Sequence, residues 1–312
     1  MPARAQSPTA NQAEGDFAGL VDIGGRSIYM ESAGAGSPTV VLVSGAGGRG
    51  DVWSRDLEQP EGARELVFPA VASFTHVIEY DRPGTIGAVN TSLQPNGPLF
   101  YPSRSDPVSQ PRSAEERVAE LHDLLQAAGV PGPYVLVGHS VGGMDVRLYA
   151  VTYPAEVVGM VLVASTPVDV WDEFKKIMTP EQWDHFNDIT VDNEELLAAY
   201  PDAEIDWTKP LDEDPSIQQM RAAMARSPLR PMPLYILSHG ISFGDAFPGW
   251  PAEAAEAVMT RLQADLATLV PDAKHVIATE SGHNIHQDQP ELVIEAIRDV
   301  VDAVRDPATW TT

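Results

Sequence analysis

Cysteine is absent from the chain, and basic side chains are scarce. The 312 residues include no Cys and only 20 Lys and Arg, against 45 Asp and Glu. The absence of cysteine excludes disulfide bonds, thiolate nucleophiles and cysteine-ligated metals. The formal net charge of −25 would repel nucleic-acid phosphates and anionic membrane surfaces, so we expect neither as a partner.

Long apolar runs are also lacking. No stretch of the sequence approaches the roughly 18 apolar residues that a membrane-spanning helix needs. The start of the chain is polar and contains no apolar segment of the kind found in secretory signals. We therefore interpret residues 1–15 as a flexible tail and expect a cytoplasmic protein.

Strand and helix patterns alternate along much of the remaining chain. Short runs rich in β-branched and other apolar residues at 39–43, 75–80 and 134–137 predict buried strands. Between the last two of these runs, Ser113 and Glu116 form a capping-box pattern that predicts the start of a helix. The alternation predicts the α/β class, with a doubly wound, mostly parallel sheet and right-handed crossovers.

Residues 167–231 interrupt this alternation. They carry short helical patterns, several Trp, Phe and Tyr residues and no convincing strand. We interpret them as a helical cap, or lid, inserted into a core domain that comprises residues 16–166 and 232–312. The aromatic residues of the cap predict an apolar or aromatic substrate, although packing between cap and sheet would require the same composition.

One predicted strand runs directly into a serine flanked by glycines. The run at 134–137 leads into Gly-His-Ser-Val-Gly at 138–142, and an amphipathic helix pattern follows. Gly-x-Ser-x-Gly between a strand and a helix is the nucleophile-elbow pattern, in which small residues allow a sharp turn that exposes the serine. The pattern predicts Ser140 as a nucleophile; the alternative is a glycine-rich turn without chemistry.

A serine nucleophile needs a general base. His283 follows a predicted strand at 275–279 and would therefore lie at the carboxyl edge of the sheet, where sites of this fold class form. We predict His283 as the base. His286, three residues further along, and His239, next to another predicted strand end, are the weaker candidates.

The same reaction needs backbone N–H groups that stabilise the oxyanion. One predicted donor is Val141, the residue directly after the nucleophile, at the start of a helix. The other is Ala46, because the small residues at 44–48 follow a predicted strand and let the backbone approach closely. The alternative for this loop is again a glycine-rich turn without a role.

Together these motifs resemble the α/β-hydrolase superfamily, and within it a bacterial branch of lid-bearing serine hydrolases. The resemblance covers the chain from about Phe17 onward. It rests on four motifs: Ser-Gly-Ala-Gly-Gly at 44–48, Tyr-Asp-Arg-Pro-Gly at 80–84, Gly-Pro-Tyr-Val-Leu-Val-Gly-His-Ser at 132–140 and Ser-Gly-His at 281–283. In this superfamily, residues in the positions of Asp81 and Arg82 more often shape a turn than take part in chemistry.

The resemblance implies a serine hydrolase that cleaves a carboxylic ester or lactone through an acyl-enzyme. Such a reaction needs no cofactor or metal, and the expected partner is a small ester-like molecule. Three other reactions use similar machinery and stay as alternatives: amide or carbamate hydrolysis, C–C bond hydrolysis and cofactor-free peroxidation.

The sequence departs from the family pattern at the acid that orients the base. Ala164 and Phe243 stand where relatives carry this acid. Asp169, five residues past Ala164, is the first candidate, and Asp245, two residues past Phe243, is the alternative. Asp169 would also suit a helix N-cap, and Asp245 a turn. The missing acid leaves a further alternative, a hydrolase-fold binding protein without turnover.

Overall fold

The computed structural model describes residues 16–56, 64–89, 99–109, 112–191, 214–242, 244 and 247–310. The predicted tail at 1–15 and the alternative acid Asp245 lie outside these residues. None of the helices in the described ranges is long and apolar enough to cross a bilayer.

An eight-stranded sheet forms the centre of the protein, and a two-stranded sheet stands apart from it. The strands are β1 (Phe17–Asp22), β2 (Ser27–Ala33), β3 (Thr39–Val43), β4 (Val77–Tyr80), β5 (Ile86–Val89), β6 (Leu99–Pro102), β7 (Tyr134–His139), β8 (Val157–Val163), β9 (Leu234–His239) and β10 (Lys274–Ala278). The large sheet has the order β1-β2-β4-β3-β7-β8-β9-β10. The pairs β1/β2 and β2/β4 are antiparallel, and every other neighbouring pair in this sheet is parallel. The predicted doubly wound, mostly parallel α/β sheet is confirmed.

Helices cover both faces of the large sheet. They are α1 (Val67–Ala72), α2 (Ala114–Ala127), α3 (Val141–Thr152), α4 (Val170–Ile177), α5 (Pro180–Val191), α6 (Pro215–Arg226), α7 (Ala252–Leu266), α8 (Ile285–Asp288) and α9 (Pro290–Arg305). The predicted capping box is present at the start of α2: the Glu116 N–H donates to the Ser113 hydroxyl, and the Ser113 N–H donates to the Glu116 carboxylate.

The central strand β3 shows why the parallel strands read as continuous apolar runs. Val41 and Val43 pack with helices α2 and α3 on one face, whereas Val40 and Leu42 pack with α1 and α9 on the other. Successive side chains of a strand point to opposite faces, so a strand covered on both sides must be apolar at every position.

Within residues 167–231, the described part of the chain is helical and contains no strand: α4, α5 and α6 lie there. Helix α4 packs against α7 of the core through Val170, Phe174, Met259 and Leu262. Helix α6 packs instead with α2 and α3 through Ile217 and Met220. The division into cap and core remains a prediction.

Candidate active site

Ser140 occupies the turn between β7 and α3. Its φ of 52° and ψ of −122° are a backbone conformation that residues other than glycine rarely adopt. The N–H of Ser140 donates to the carbonyl of Val163 at 3.1 Å. Its carbonyl accepts from the N–H groups of Gly143 at 3.0 Å and Thr166 at 2.9 Å. Neighbouring backbone thus holds the serine in a strained, sharply turned conformation.

The glycines on either side of Ser140 are required by close backbone packing. A Cβ added to Gly142 would lie 2.5 Å from the carbonyl oxygen of Val43, and one added to Gly138 would lie 2.5 Å from that of Gly142. Both distances are shorter than carbon–oxygen contacts in proteins. The Gly-x-Ser-x-Gly spacing is therefore a steric necessity of this turn.

Ser140 and His283 line one cavity of about 270 Å³, to which helices α4, α5 and α7 also contribute. Its other polar lining residues are Thr166, Ser242 and Glu256. The remaining described lining residues are small or apolar: Ala164, Pro167, Val170, Trp171, Phe174, Phe186, Gly244, Trp250, Ala252, Ala255 and Met259. The structure thus brings the predicted nucleophile and the predicted base to the same mainly apolar cavity.

The loop that carries His283 follows β10 and is fixed on both sides. The hydroxyl of Ser281 donates to Oε1 of Gln289 at 2.9 Å, and the N–H of Gly282 donates to Oδ2 of Asp288 at 2.9 Å. Desolvation in the cavity, assisted by the nearby His239, lowers the pKa of His283 to about 4. The imidazole is therefore neutral at neutral pH, the state a general base needs.

His139 supports this loop, a role that the sequence does not reveal. Its Nε2–H donates to the backbone carbonyl of His283 at 3.0 Å, because a carbonyl can only accept. His286 packs on the other side, with its ring centroid 4.4 Å from that of His139 and 4.7 Å from that of Trp53. Burial lowers the pKa of His286 to about 3, so this weaker candidate for the base is a buried neutral packing residue.

The loop at 44–48 lies directly against the serine. A Cβ added to Gly45 would lie 3.1 Å from Cβ of Ser140 and 2.8 Å from Nδ1 of His139. The loop thus needs glycine at position 45 to come this close. Val141, the first residue of α3, presents one of the N–H groups that have no partner within a helix.

Arg82 forms two hydrogen bonds with the backbone of the 44–48 loop. Its Nη1 donates to the carbonyl of Ser44 at 2.8 Å, and its Nη2 donates to the carbonyl of Gly45 at 2.5 Å. The guanidinium is buried, and Nη1 lies 3.6 Å from Oδ2 of Asp145 on helix α3. The Gly45–Ala46 peptide is planar and trans, so its N–H points away from Arg82 while its carbonyl points toward it. Arg82 therefore does more than shape the turn after β4.

Asp169, the first candidate for the acid, does not meet His283. Its Oδ1 accepts from Nε of Arg221 at 3.1 Å and from Nη2 at 2.6 Å, and Arg221 also donates to Asp172 at 2.5 Å. Among the described residues, no hydrogen bond joins Asp169 to His283, and the Asp169 side chain is 52% exposed. The pairing with Arg221 was not predictable from the sequence, because 52 residues separate the two.

Glu256 is a cavity residue that sequence reasoning missed. It lies on α7, and its Oε1 is 3.4 Å from Nε2 of His239 at the end of β9. Ala252, Ala255 and Met259 line the cavity from the same helix. Of these, Ala252 and Met259 are four and three residues from Glu256 and so share its face of the helix. The spacing was visible in the sequence, but which face of α7 borders the cavity was not.

Comparison with known proteins identifies a family. A model described as "Alpha/beta hydrolase family" matches residues 40–296. Among curated proteins, the uncharacterized protein YqjL of Bacillus subtilis (strain 168) is 29% identical over 189 residues, covering 61% of this chain and 65% of YqjL. The chain thus spans less than two thirds of the length of this curated relative.

Solved structures share the fold. One described as "Est816 as an N-Acyl homoserine lactone degrading enzyme" has a TM-score of 0.53 at 17% identity, covering 89% of this chain and 98% of that one. A serine hydrolase involved in carbazole degradation, the CarC enzyme, has a TM-score of 0.53 at 19% identity, covering 92% and 99%. At these identities the similarity shows the fold alone.

Proposed function

Because the chain belongs to the alpha/beta hydrolase family, we propose that it is a serine hydrolase that cleaves a carboxylic ester or lactone. Ser140 attacks the carbonyl carbon and forms an acyl-enzyme, and the alcohol leaves with a proton from the His283 imidazolium. Water, deprotonated by the same imidazole, then releases the acid. One observation carries this proposal: Ser140, with its strained backbone, and His283, whose imidazole is neutral at neutral pH, line the same cavity.

The cavity supports an apolar acyl or alcohol group in the substrate. Four aromatic residues line it, Trp171, Phe174, Phe186 and Trp250, and their ring centroids lie 5.1 to 6.1 Å from their nearest neighbours in the group. Mainly apolar walls with a few polar groups near the reacting centre are typical of small-molecule sites. The same machinery would serve amides or carbamates, so the leaving group has to be determined by assay.

A fluorophosphonate probe tests the nucleophile. Such a probe phosphonylates a serine only when a base activates it. We expect the wild-type protein to carry one adduct, located on Ser140 by mass spectrometry of peptides, and Ser140→Ala to carry none. No adduct on the folded wild type would favour a binding protein without turnover, and an adduct that persists in Ser140→Ala would place the nucleophile elsewhere. A panel of acyl esters, lactones and anilides then distinguishes the leaving groups.

We assign the stabilisation of the oxyanion to the N–H groups of Val141 and Ala46. The position of Val141 at the start of α3 supports the Val141 N–H as a donor, and the close approach of Gly45 to Ser140 supports the N–H of the next residue, Ala46. Arg82 acts as a positioning residue, because its bond to the Gly45 carbonyl fixes the plane of the peptide that contains the Ala46 N–H. A donor with a fixed orientation stabilises the transition state without reorganisation.

Replacing Arg82 with methionine is expected to lower kcat for an activated ester about 10²- to 10³-fold, the usual cost of one oxyanion donor. KM should change little, because the donor acts mainly in the transition state. Methionine keeps much of the side-chain volume, and Asp145 retains its bidentate bonds with Arg117. Steady-state kinetics and a thermal melt measure both properties.

Arg117→Met is the matched control for the Arg82 variant. It also removes a buried guanidinium from Asp145, but among the described residues no hydrogen bond joins Arg117 to the 44–48 loop. A loss of kcat in Arg117→Met equal to that in Arg82→Met would mean that the ion-pair network, and not the loop, controls turnover. Full kcat in a folded Arg82→Met protein would remove Arg82 from the proposal.

The orienting carboxylate is assigned to Asp245, the alternative candidate from the sequence. Two observations support the choice. Asp169 bonds Arg221 and is half exposed, so it would have to leave that partner to reach the imidazole. Gly244, the residue before Asp245, lines the cavity together with His283.

A further inference from the structure

Glu256 brings a negative charge into an otherwise apolar cavity. Among the described lining residues it is the only acidic one, and none is Lys or Arg. Its side chain is 31% exposed, and it also borders an outer groove that contains Glu253, Thr260 and Arg261. Glu256 thus lines both the inner cavity and this groove.

The residue closest to Glu256 does not cancel its charge. Nε2 of His239 lies 3.4 Å from Oε1 of Glu256, and burial lowers the pKa of His239 below its ordinary value in spite of the carboxylate. The imidazole is therefore neutral at neutral pH. Arg261, the basic residue among those that line the outer groove, donates to Glu173 at 2.6 Å.

The aromatic residues add to the preference of the cavity for positive charge. Trp171, Phe174, Phe186 and Trp250 line the same space as Glu256. The faces of aromatic rings attract cations through their quadrupole, and ammonium groups with alkyl substituents suit such surroundings because they are weakly hydrated. The carboxylate would repel an anion, and this repulsion is stronger where apolar walls lower the local dielectric.

We propose that Glu256 selects substrates by charge: the cavity prefers an apolar ester or lactone that carries an alkylammonium group, accepts a neutral one and rejects one that carries a carboxylate. This inference rests on the proposed function, because the selection acts in the cavity of Ser140 and His283. It names the chemical class of substrate that the overall apolar lining leaves open.

Three p-nitrophenyl esters of equal chain length test the proposal. They are the 4-(trimethylammonio)butanoate, its neutral isostere 5,5-dimethylhexanoate and the singly esterified glutarate. We expect kcat/KM of the wild type to fall in that order, with about 10²-fold or more between the first and the last. In Glu256→Gln this ratio should shrink at least about tenfold, because kcat/KM falls for the cationic ester and rises for the carboxylate ester relative to the neutral one.

Glu253→Gln is the matched control for Glu256→Gln. It removes the same charge from the same helix, but Glu253 is exposed and borders only the outer groove. An unchanged ratio in Glu256→Gln, or an equal change in Glu253→Gln, would overturn the proposal. An equal loss with all three esters in Glu256→Gln would also overturn it, because Glu256 would then act on the imidazoles and not on substrate charge.

A binding measurement separates this proposal from the proposed function. Phenyltrimethylammonium needs no turnover, and calorimetry should show it binding to the wild type and to Ser140→Ala, and at least about tenfold more weakly to Glu256→Gln. Absence of ester turnover and probe labelling, with this binding pattern intact, would refute the hydrolase and leave the charge selection standing. Equal binding to wild type and Glu256→Gln would refute the selection alone.

Discussion

Replacing His283 with glutamine is expected to lower kcat/KM for an activated ester by about 10⁴-fold or more. Glutamine keeps a polar side chain in the cavity but cannot accept the proton of Ser140 and later return it. His286→Gln serves as the control, because His286 packs against His139 and Trp53 without lining the cavity. A comparable loss in a folded His286→Gln protein would contradict the assignment of the base to His283.

The pH dependence of the wild type provides a second measurement on the same residue. The pKa of His283 is about 4, so the imidazole stays neutral as the pH falls below the ordinary histidine value of 6.5. The acid limb of kcat/KM should therefore lie well below pH 6.5, toward pH 4. A limb at pH 6.5 or above would show that the base is more accessible to solvent than the structure indicates.

The lowered pKa of His283 also makes the free energy of unfolding depend on pH. The unfolded protein binds a proton on His283 near pH 6.5, whereas the folded protein binds it only near pH 4. Between these values the unfolded state carries more protons, so the free energy of unfolding falls as the pH falls. Activity at pH 5 should hence be measured below the melting temperature found at that pH.

Replacing Asp245 with asparagine is expected to lower kcat about 10³- to 10⁴-fold, the scale on which a triad acid acts. An amide at this position would favour the wrong imidazole tautomer and would not stabilise the imidazolium. Asp169→Asn should stay within about tenfold of the wild type, because the Asp169 carboxylate bonds Arg221. Initial rates on one activated ester, with both variants checked for folding, measure the contrast.

Two results would contradict this choice of acid. A loss of activity in Asp169→Asn as large as that expected for Asp245→Asn would mean that Asp169 leaves Arg221 during turnover. Full activity in both variants would mean that His283 works without either carboxylate.

The features predicted correctly from the sequence depend on local patterns. The strands are apolar runs in the sequence because both faces of the sheet are covered. The turn at Ser140 is recognisable because it requires glycine at two positions where a side chain would clash with the backbone. The position of His283 after a strand also follows from chain order, since parallel strands end at one edge.

The features that the sequence did not reveal depend on contacts between distant segments. Arg82 and the 44–48 loop meet across about 37 residues, and Asp169 and Arg221 across 52. No local pattern encodes either meeting.

The hydrogen bond from the Thr166 N–H to the Ser140 carbonyl determines where a chimera with a relative can be joined if the predicted cap is to be exchanged. Thr166 is bonded a second time, because Nη2 of Arg147 on helix α3 donates to its carbonyl at 2.6 Å. The chain up to Thr166 therefore supports the turn at Ser140, although the predicted cap begins at the next residue. A chimera joined after Thr166 keeps the turn intact, whereas one joined earlier replaces part of the support of the serine itself.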